Sequence, residues 1–259
     1  MKYQPITTLY LLILFTLTQL VGLYVTNYYQ ASSIPYNLES PMVSDGWSIY
    51  YLFGGILLMT IIFYLLTRLK YERFLKLWFS AAIIISMSLT LSAFIGEVMG
   101  LIIAIILSLI RLSTKDLYVH NITELLVYGG IVSIFAPLFS PLTALIVLII
   151  IAVYDYVSVF VTKHMVYLAQ SQSSANLFTG LIVKRGDETA ILGGGDIAFS
   201  LLFATVLGSA YSLINAYLTI YAVIIAISFL TILGQKGKFY PAMPFITIAC
   251  AISYLLALI

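Results

Sequence analysis

The stretch AVYDYVSVF, Ala152 to Phe160, stands near the end of an apolar run that starts at Leu142 and is long enough to cross a bilayer. It carries Asp155, although an ionised group at the centre of a membrane helix costs about 2.5 to 3.5 kcal/mol even on the most lenient scale. Downstream, AILGGGDIAFS, Ala190 to Ser200, places Asp196 inside the next apolar run. Two such costs require one reason.

The 259 residues are 62% hydrophobic and 8% charged, whereas about a quarter of the residues of soluble domains carry charge. The chain therefore reads as an all-α polytopic membrane protein embedded in a lipid bilayer. A net charge of +2 offers no basic surface for nucleic acid, and the placement of charge matters more than its sum. The single cysteine, Cys250, excludes an intramolecular disulfide and a Cys-based metal site. No Cys/His/Glu set has metal-ligand spacing, so neither metal nor cofactor is expected. The first apolar run, Ile6 to Thr26, is longer than the about 7 to 15 residues of a signal h-region and lacks a small-residue cleavage site, so it reads as a spanning helix.

Apolar windows of spanning length fall at Ile6–Thr26, Trp47–Thr67, Leu77–Ile95, Val98–Ile110, Leu125–Phe139, Leu142–Thr162, Ile191–Ala210, Ile214–Leu233 and Tyr240–Leu258. The fourth and fifth are short and need flanking residues to cross. Lys and Arg accumulate on the cytoplasmic side, which tests the count. With the N-terminus inside, the inner segments hold Lys2; Arg68, Lys70, Arg73 and Lys76; Arg111 and Lys115; Lys163, Lys184 and Arg185; and Lys236 and Lys238. These are all twelve basic residues, and one helix more or fewer would scatter them to both sides. Nine transmembrane helices follow, with a cytoplasmic N-terminus, Ile259 outside, and a multi-pass place in the cell membrane.

Residues 1–162 thus form six helices, 163–190 a cytoplasmic linker and 191–259 three more helices. In the linker, AQSQSSAN offers nothing to bury, so Gln170 to Asn176 is expected to be mobile. KHMVYLAQ, Lys163 to Gln170, can form a short interfacial helix, and DETAIL, between Gly186 and Gly193, suits an extended segment. No internal repeat is evident, which counts against an inverted-repeat transporter.

At a helical rise of 1.5 Å per residue, Asp155 lies roughly 12 Å and Asp196 roughly 9 Å from the inner surface, on consecutive antiparallel helices. Two carboxyls in close contact in a low-dielectric site cannot both ionise easily, so they share a proton and titrate as a unit. One can then take a proton from water while its protonated partner polarises a carbonyl. A protonated Asp hydrogen-bonded between helices is the simpler reading of either residue alone; the matched depth favours the pair. Gly193, Gly194 and Gly195 suit helix packing, and equally the close approach of a substrate backbone. YPAMPFI, Tyr240 to Ile246, puts Pro241 in the first turn of the last helix, where a missing N–H does no harm, at the same depth as the carboxylates. Glu97 and Glu124 read as interfacial charges, His164 as solvated, Cys250 as helix packing, and the tyrosines as interfacial anchors.

Tyr154-Asp155 on the sixth helix, Gly193-Gly194-Gly195-Asp196 on the seventh and Pro241-Ala242-Met243 opening the ninth together resemble the presenilin and signal peptide peptidase family of GxGD intramembrane aspartyl proteases. GxGD alone is weak, since prepilin peptidases share it; the combination in order and helix position is specific. The resemblance implies that Asp155 and Asp196 are the catalytic pair and that the segment at the PAL position shapes the substrate site. Met243 replaces the Leu of that pattern, a volume-conserving change. Tyr154, Ile191, Leu192, the three glycines and Pro241 to Met243 are then the expected substrate contacts. The inside N-terminus is similar to presenilin orientation and implies transmembrane substrates with their N-termini outside. The compact linker and short termini resemble archaeal-type homologues, and a homo-oligomer is compatible with all of this. The alternative from another class is a proton-coupled transporter or ion leak using the same carboxylates.

Overall fold

Along the helix α6, Pro141–Phe160, the buried positions Ala144, Val147, Leu148, Ala152, Asp155 and Ser158 recur at three- and four-residue steps, which gathers them on one helical face. Asp155 is thus directed inward by the same periodicity that buries its apolar neighbours. The structure is a computed structural model that describes residues 4–38, 45–68, 71–114, 116–160, 178–186, 188–234 and 240–259. The expected mobility of Gln170 to Asn176 and the interfacial helix Lys163 to Gln170 lie outside the described residues.

Nine α-helices occur among those residues. Before α6 come α1 (Pro5–Ala31), α2 (Asp45–Arg68), α3 (Glu72–Ile95), α4 (Glu97–Ser113) and α5 (Leu117–Phe135), the last extended by a 3-10 turn, Ala136–Leu138. After it come a hairpin of β1 (Gly180–Arg185) and β2 (Glu188–Gly193), then α7 (Gly194–Ala210), α8 (Leu213–Leu233) and α9 (Met243–Ala257). Five described stretches are long and apolar enough to cross a membrane: Pro5–Ala31, Leu77–Ile95, Leu117–Leu138, Pro141–Phe160 and Leu213–Leu233. Trp47–Ile62, Gly194–Ala210 and Met243–Ala257 are apolar but shorter.

Three boundaries differ from the sequence-based expectation, each for a local reason. The fifth helix begins at Leu117, not near Leu125, because Asp116 caps it by accepting the Tyr118 N–H at 2.7 Å. The seventh begins at Gly194, because Ile191 to Gly193 finish β2. The ninth begins at Met243, so Pro241 lies ahead of the helix and Pro244 takes the early position that tolerates a missing N–H. The chain is also not wholly helical: β1 and β2 pair antiparallel with Ile182 opposite Ile191, turning at Gly186 in the left-handed region, φ 58.

The central element is α7. Ile197, Leu201, Leu202, Phe203, Ala204, Val206 and Leu207 are buried around most of its circumference, and it packs on α1, α5, α6, α8 and α9. Polar bonds tie it to α1: Gln19 Nε2 donates to Ile197 O at 3.0 Å and Ser200 Oγ at 2.9 Å, and Thr26 and Thr205 hydroxyls meet at 3.2 Å. Such interhelical bonds and close packing hold helices together where lipid supplies no hydrophobic drive. A smaller cluster of Ile83, Met87, Ala104 and Val127 joins α3, α4 and α5.

Candidate active site

Asp155 and Asp196 line one cavity of about 310 Å3, bounded by α1, α6, β2, α7, α8 and the start of α9. Asp155 is 7% exposed, and the two carboxylates are close enough for their charges to interact. Each meets the amino end of a helix, Asp196 that of its own and Asp155 that of α9. Asp196 occupies the third position of α7, with Oδ2 beside Gly193, the residue that precedes the helix. Asp155 accepts the backbone N–H of Met243, first residue of α9, with Oδ2 at 3.1 Å. The amino ends of α7 and α9 thus bring backbone N–H groups and their partial positive charge to the two carboxylates.

The three glycines divide their roles. A Cβ on Gly193 would lie 3.2 Å from Asp196 Oδ2, so its bareness gives that carboxylate room. Gly194 is turned away from the cavity, with its N–H on Thr179 O at 3.1 Å. Gly195 borders the cavity. Tyr154, Ile191, Leu192, Ala242 and Met243 line the same cavity, so the structure brings together the expected contacts except Gly194 and Pro241, the latter buried. The start of α9 does present a donor to the site, contrary to what a proline in its first position would give, and Asp155 takes it.

Among the described residues the hairpin has one covered edge and one open edge. Asn121 of α5 binds both backbone groups of Ile182, Nδ2 to O at 2.7 Å and N to Oδ1 at 3.0 Å. His120 Nε2 lies 2.9 Å from Gly180 O, and the Gly180 N–H donates to Glu124 Oε2 at 2.9 Å. Gly180 and Ile182 therefore point away from β2. Because pairing alternates along an antiparallel ladder, their partners Gly193 and Ile191, and next Thr189, direct their backbone groups away from β1. Among the described residues the edge beside Asp196 is thus the unpaired one, with Ile191 and Gly193 on the cavity wall.

Glu124 is not an interfacial charge. It is fully buried, with Oε1 on Arg111 Nη2 at 2.6 Å and Oε2 accepting from Tyr128 OH at 2.5 Å besides Gly180. Placing the helix start at Leu125 left this residue at the membrane edge. The signal that could have found it is Tyr128 one helical turn on, a hydroxyl spaced to meet a carboxylate.

What such a cavity can do chemically is hold one proton between two carboxyls, activate a water and polarise a carbonyl beside an open strand edge. A family model for signal-peptide peptidase, presenilin aspartyl protease, matches residues 12–259. Two solved structures of presenilin-family intramembrane aspartate proteases share the fold. One, in space group C222, is 19% identical, with TM-score 0.73 over 97% of this chain and 98% of that one. The other, in space group P2, is 19% identical, with TM-score 0.72 over 100% and 99%. Comparison with curated proteins returns no significant match.

Proposed function

The chain belongs to the signal-peptide peptidase and presenilin family of aspartyl proteases, and on that premise we propose that Asp155 and Asp196 are its general acid–base pair, cleaving peptide bonds within transmembrane helices of other membrane proteins. It is an intramembrane aspartic endopeptidase, a hydrolase. The observation that carries the assignment of the pair is their convergence on one cavity from two helices, with the Met243 amide on one of them.

In the proposed reaction the ionised carboxyl takes a proton from water as its oxygen bonds to the scissile carbonyl carbon. The protonated carboxyl gives its proton to the carbonyl oxygen. The tetrahedral species then collapses: the ionised carboxyl takes the proton of one hydroxyl as the carbonyl re-forms, the C–N bond breaks, and the protonated carboxyl gives its proton to the leaving nitrogen, which restores the one-proton pair. Asp155 comes from the 1–162 portion and Asp196 from 191–259, joined by the linker.

A substrate helix satisfies its own backbone bonds, and opening it in lipid strands groups at several kcal/mol each. The outward groups of Thr189, Ile191 and Gly193 offer replacement partners to an unwound substrate added as a strand, with Ala242 and Met243 opposite. Nine spans with a cytoplasmic N-terminus in the cell membrane remain the topology the Lys and Arg distribution supports. Detergent-solubilised protein mixed with a transmembrane peptide tests the activity. Cleavage at a defined bond is expected; ion flux in vesicles without cleavage would replace the protease with a transporter.

A further inference from the structure

We infer that Glu124, held between Arg111 and Tyr128, is a positioning residue that fixes Asp196 through the backbones of Gly180 and Gly194. The inference rests on Asp196 being catalytic. Glu124 Oε2 takes the Gly180 N–H at 2.9 Å and the Tyr128 OH at 2.5 Å; Oε1 takes Arg111 Nη2 at 2.6 Å. Arg111 also reaches Phe178 O at 3.2 Å and Thr123 Oγ1 at 2.9 Å. One carboxylate and one guanidinium therefore seize the chain at Phe178 and Gly180. Between those two residues, Thr179 O accepts the N–H of Gly194, the first residue of α7. The Tyr128 hydroxyl also backs onto Gly194, where a Cβ would lie 2.9 Å from it. Asp196 is two residues further on.

Two features favour positioning over bulk stability. None of Arg111, Glu124 and Tyr128 lines the cavity, so none touches a peptide held there. A buried ion pair is weak evidence for stability, since apolar residues of similar volume often replace one without loss. What apolar residues cannot supply is an acceptor for Gly180, whose φ of 132 is a conformation that glycine alone adopts readily. Misplacing a reacting group by 1 Å can lower a rate about a hundredfold.

The test compares two double variants of the full chain in detergent, Arg111→Met with Glu124→Leu and Arg111→Met with Glu124→Gln. They differ in the acceptor offered to Gly180, and neither strands a charge. Turnover and KM are measured on a transmembrane peptide. With Leu, kcat is expected to fall by about tenfold or more with KM within about twofold of wild type; with Gln, most of the kcat returns. A rise in KM at unchanged kcat, or equal kcat in the two variants, overturns the inference. If neither double variant folds, Tyr128→Phe decides: a several-fold lower kcat at unchanged KM supports the clamp, and wild-type kcat overturns it. Asp196→Asn is the control that separates the two claims. If it cleaves like wild type, the assignment of the pair fails and the inference with it. If it is inactive while the clamp variants turn over normally, the inference alone fails.

Discussion

The backbone N–H of Met243 donates to Oδ2 of Asp155 at 3.1 Å, joining the first residue of α9 to the carboxyl-terminal part of the buried face of α6. Hydrogen bonds to charged groups contribute about 1.5–3 kcal/mol. Because the donor is main chain, the contact itself calls for no particular side chain at 243, and a Leu there would keep it.

Exchange at this position should therefore separate packing from chemistry. Met243→Leu is expected to cost under about 1.5 kcal/mol in stability and to keep cleavage near the wild-type rate. Met243→Ala empties a buried site and should destabilise by about 2–5 kcal/mol, while the retained N–H preserves detectable turnover. Thermal melting and peptide cleavage in parallel check both; loss of all activity in the Leu variant would mean that the side chain takes part.

Strand addition makes a sharper demand on Ile191. Its N–H points off the open edge of β2, so Ile191→Pro removes that donor while leaving the bonds to β1, as edge strands permit. A substrate carbonyl left without its partner loses about 1–3 kcal/mol, roughly 5- to 150-fold in kcat/KM. Wild-type kinetics in a folded Ile191→Pro variant would remove this segment from substrate recognition.

The glycines differ in the room behind them. A Cβ at Gly194 would come within 2.9 Å of Tyr128 Oη and 3.1 Å of Thr179 Oγ1, whereas at Gly195 the nearest atom is 4.0 Å away on Phe199. Gly194→Ala should destabilise by about 1–3 kcal/mol through overpacking, with little change for Gly195→Ala. Equal melting temperatures for the two variants would contradict this.

Two carboxyls serving one reaction as acid and base give a bell-shaped pH dependence, both limbs belonging to the pair. Cleavage of a peptide without ionisable side chains should rise and then fall across the pH range in which the protein stays folded. A profile with a single limb would mean that one carboxyl suffices.

The two aspartates were legible in the sequence because carboxylates inside apolar runs are costly enough to need a reason. The extended character of ETAIL, Glu188 to Leu192, was also legible, from the place of DETAIL between glycines. Its partner GLIVKR, now β1, read as polar linker, since what holds it is contributed by α5, sixty residues away in the chain. Glu124 was missed for the same cause. His120 and Asn121 make the first turns of α5 look like a loop until the strand that satisfies them is in place. The start of the last helix was set too early because Pro241 and Pro244 both suit a first turn, and local pattern does not choose between them.

The pairing of Asp155 with Asp196 is tested most directly by cleavage of a transmembrane peptide by purified wild type, Asp155→Asn and Asp196→Asn, each with an unchanged melting profile. Neither substitution alters side-chain size appreciably, and each removes one half of the proposed acid–base pair. The wild type should cut and both variants should fall to background. Substantial cleavage by either folded variant would contradict the assignment.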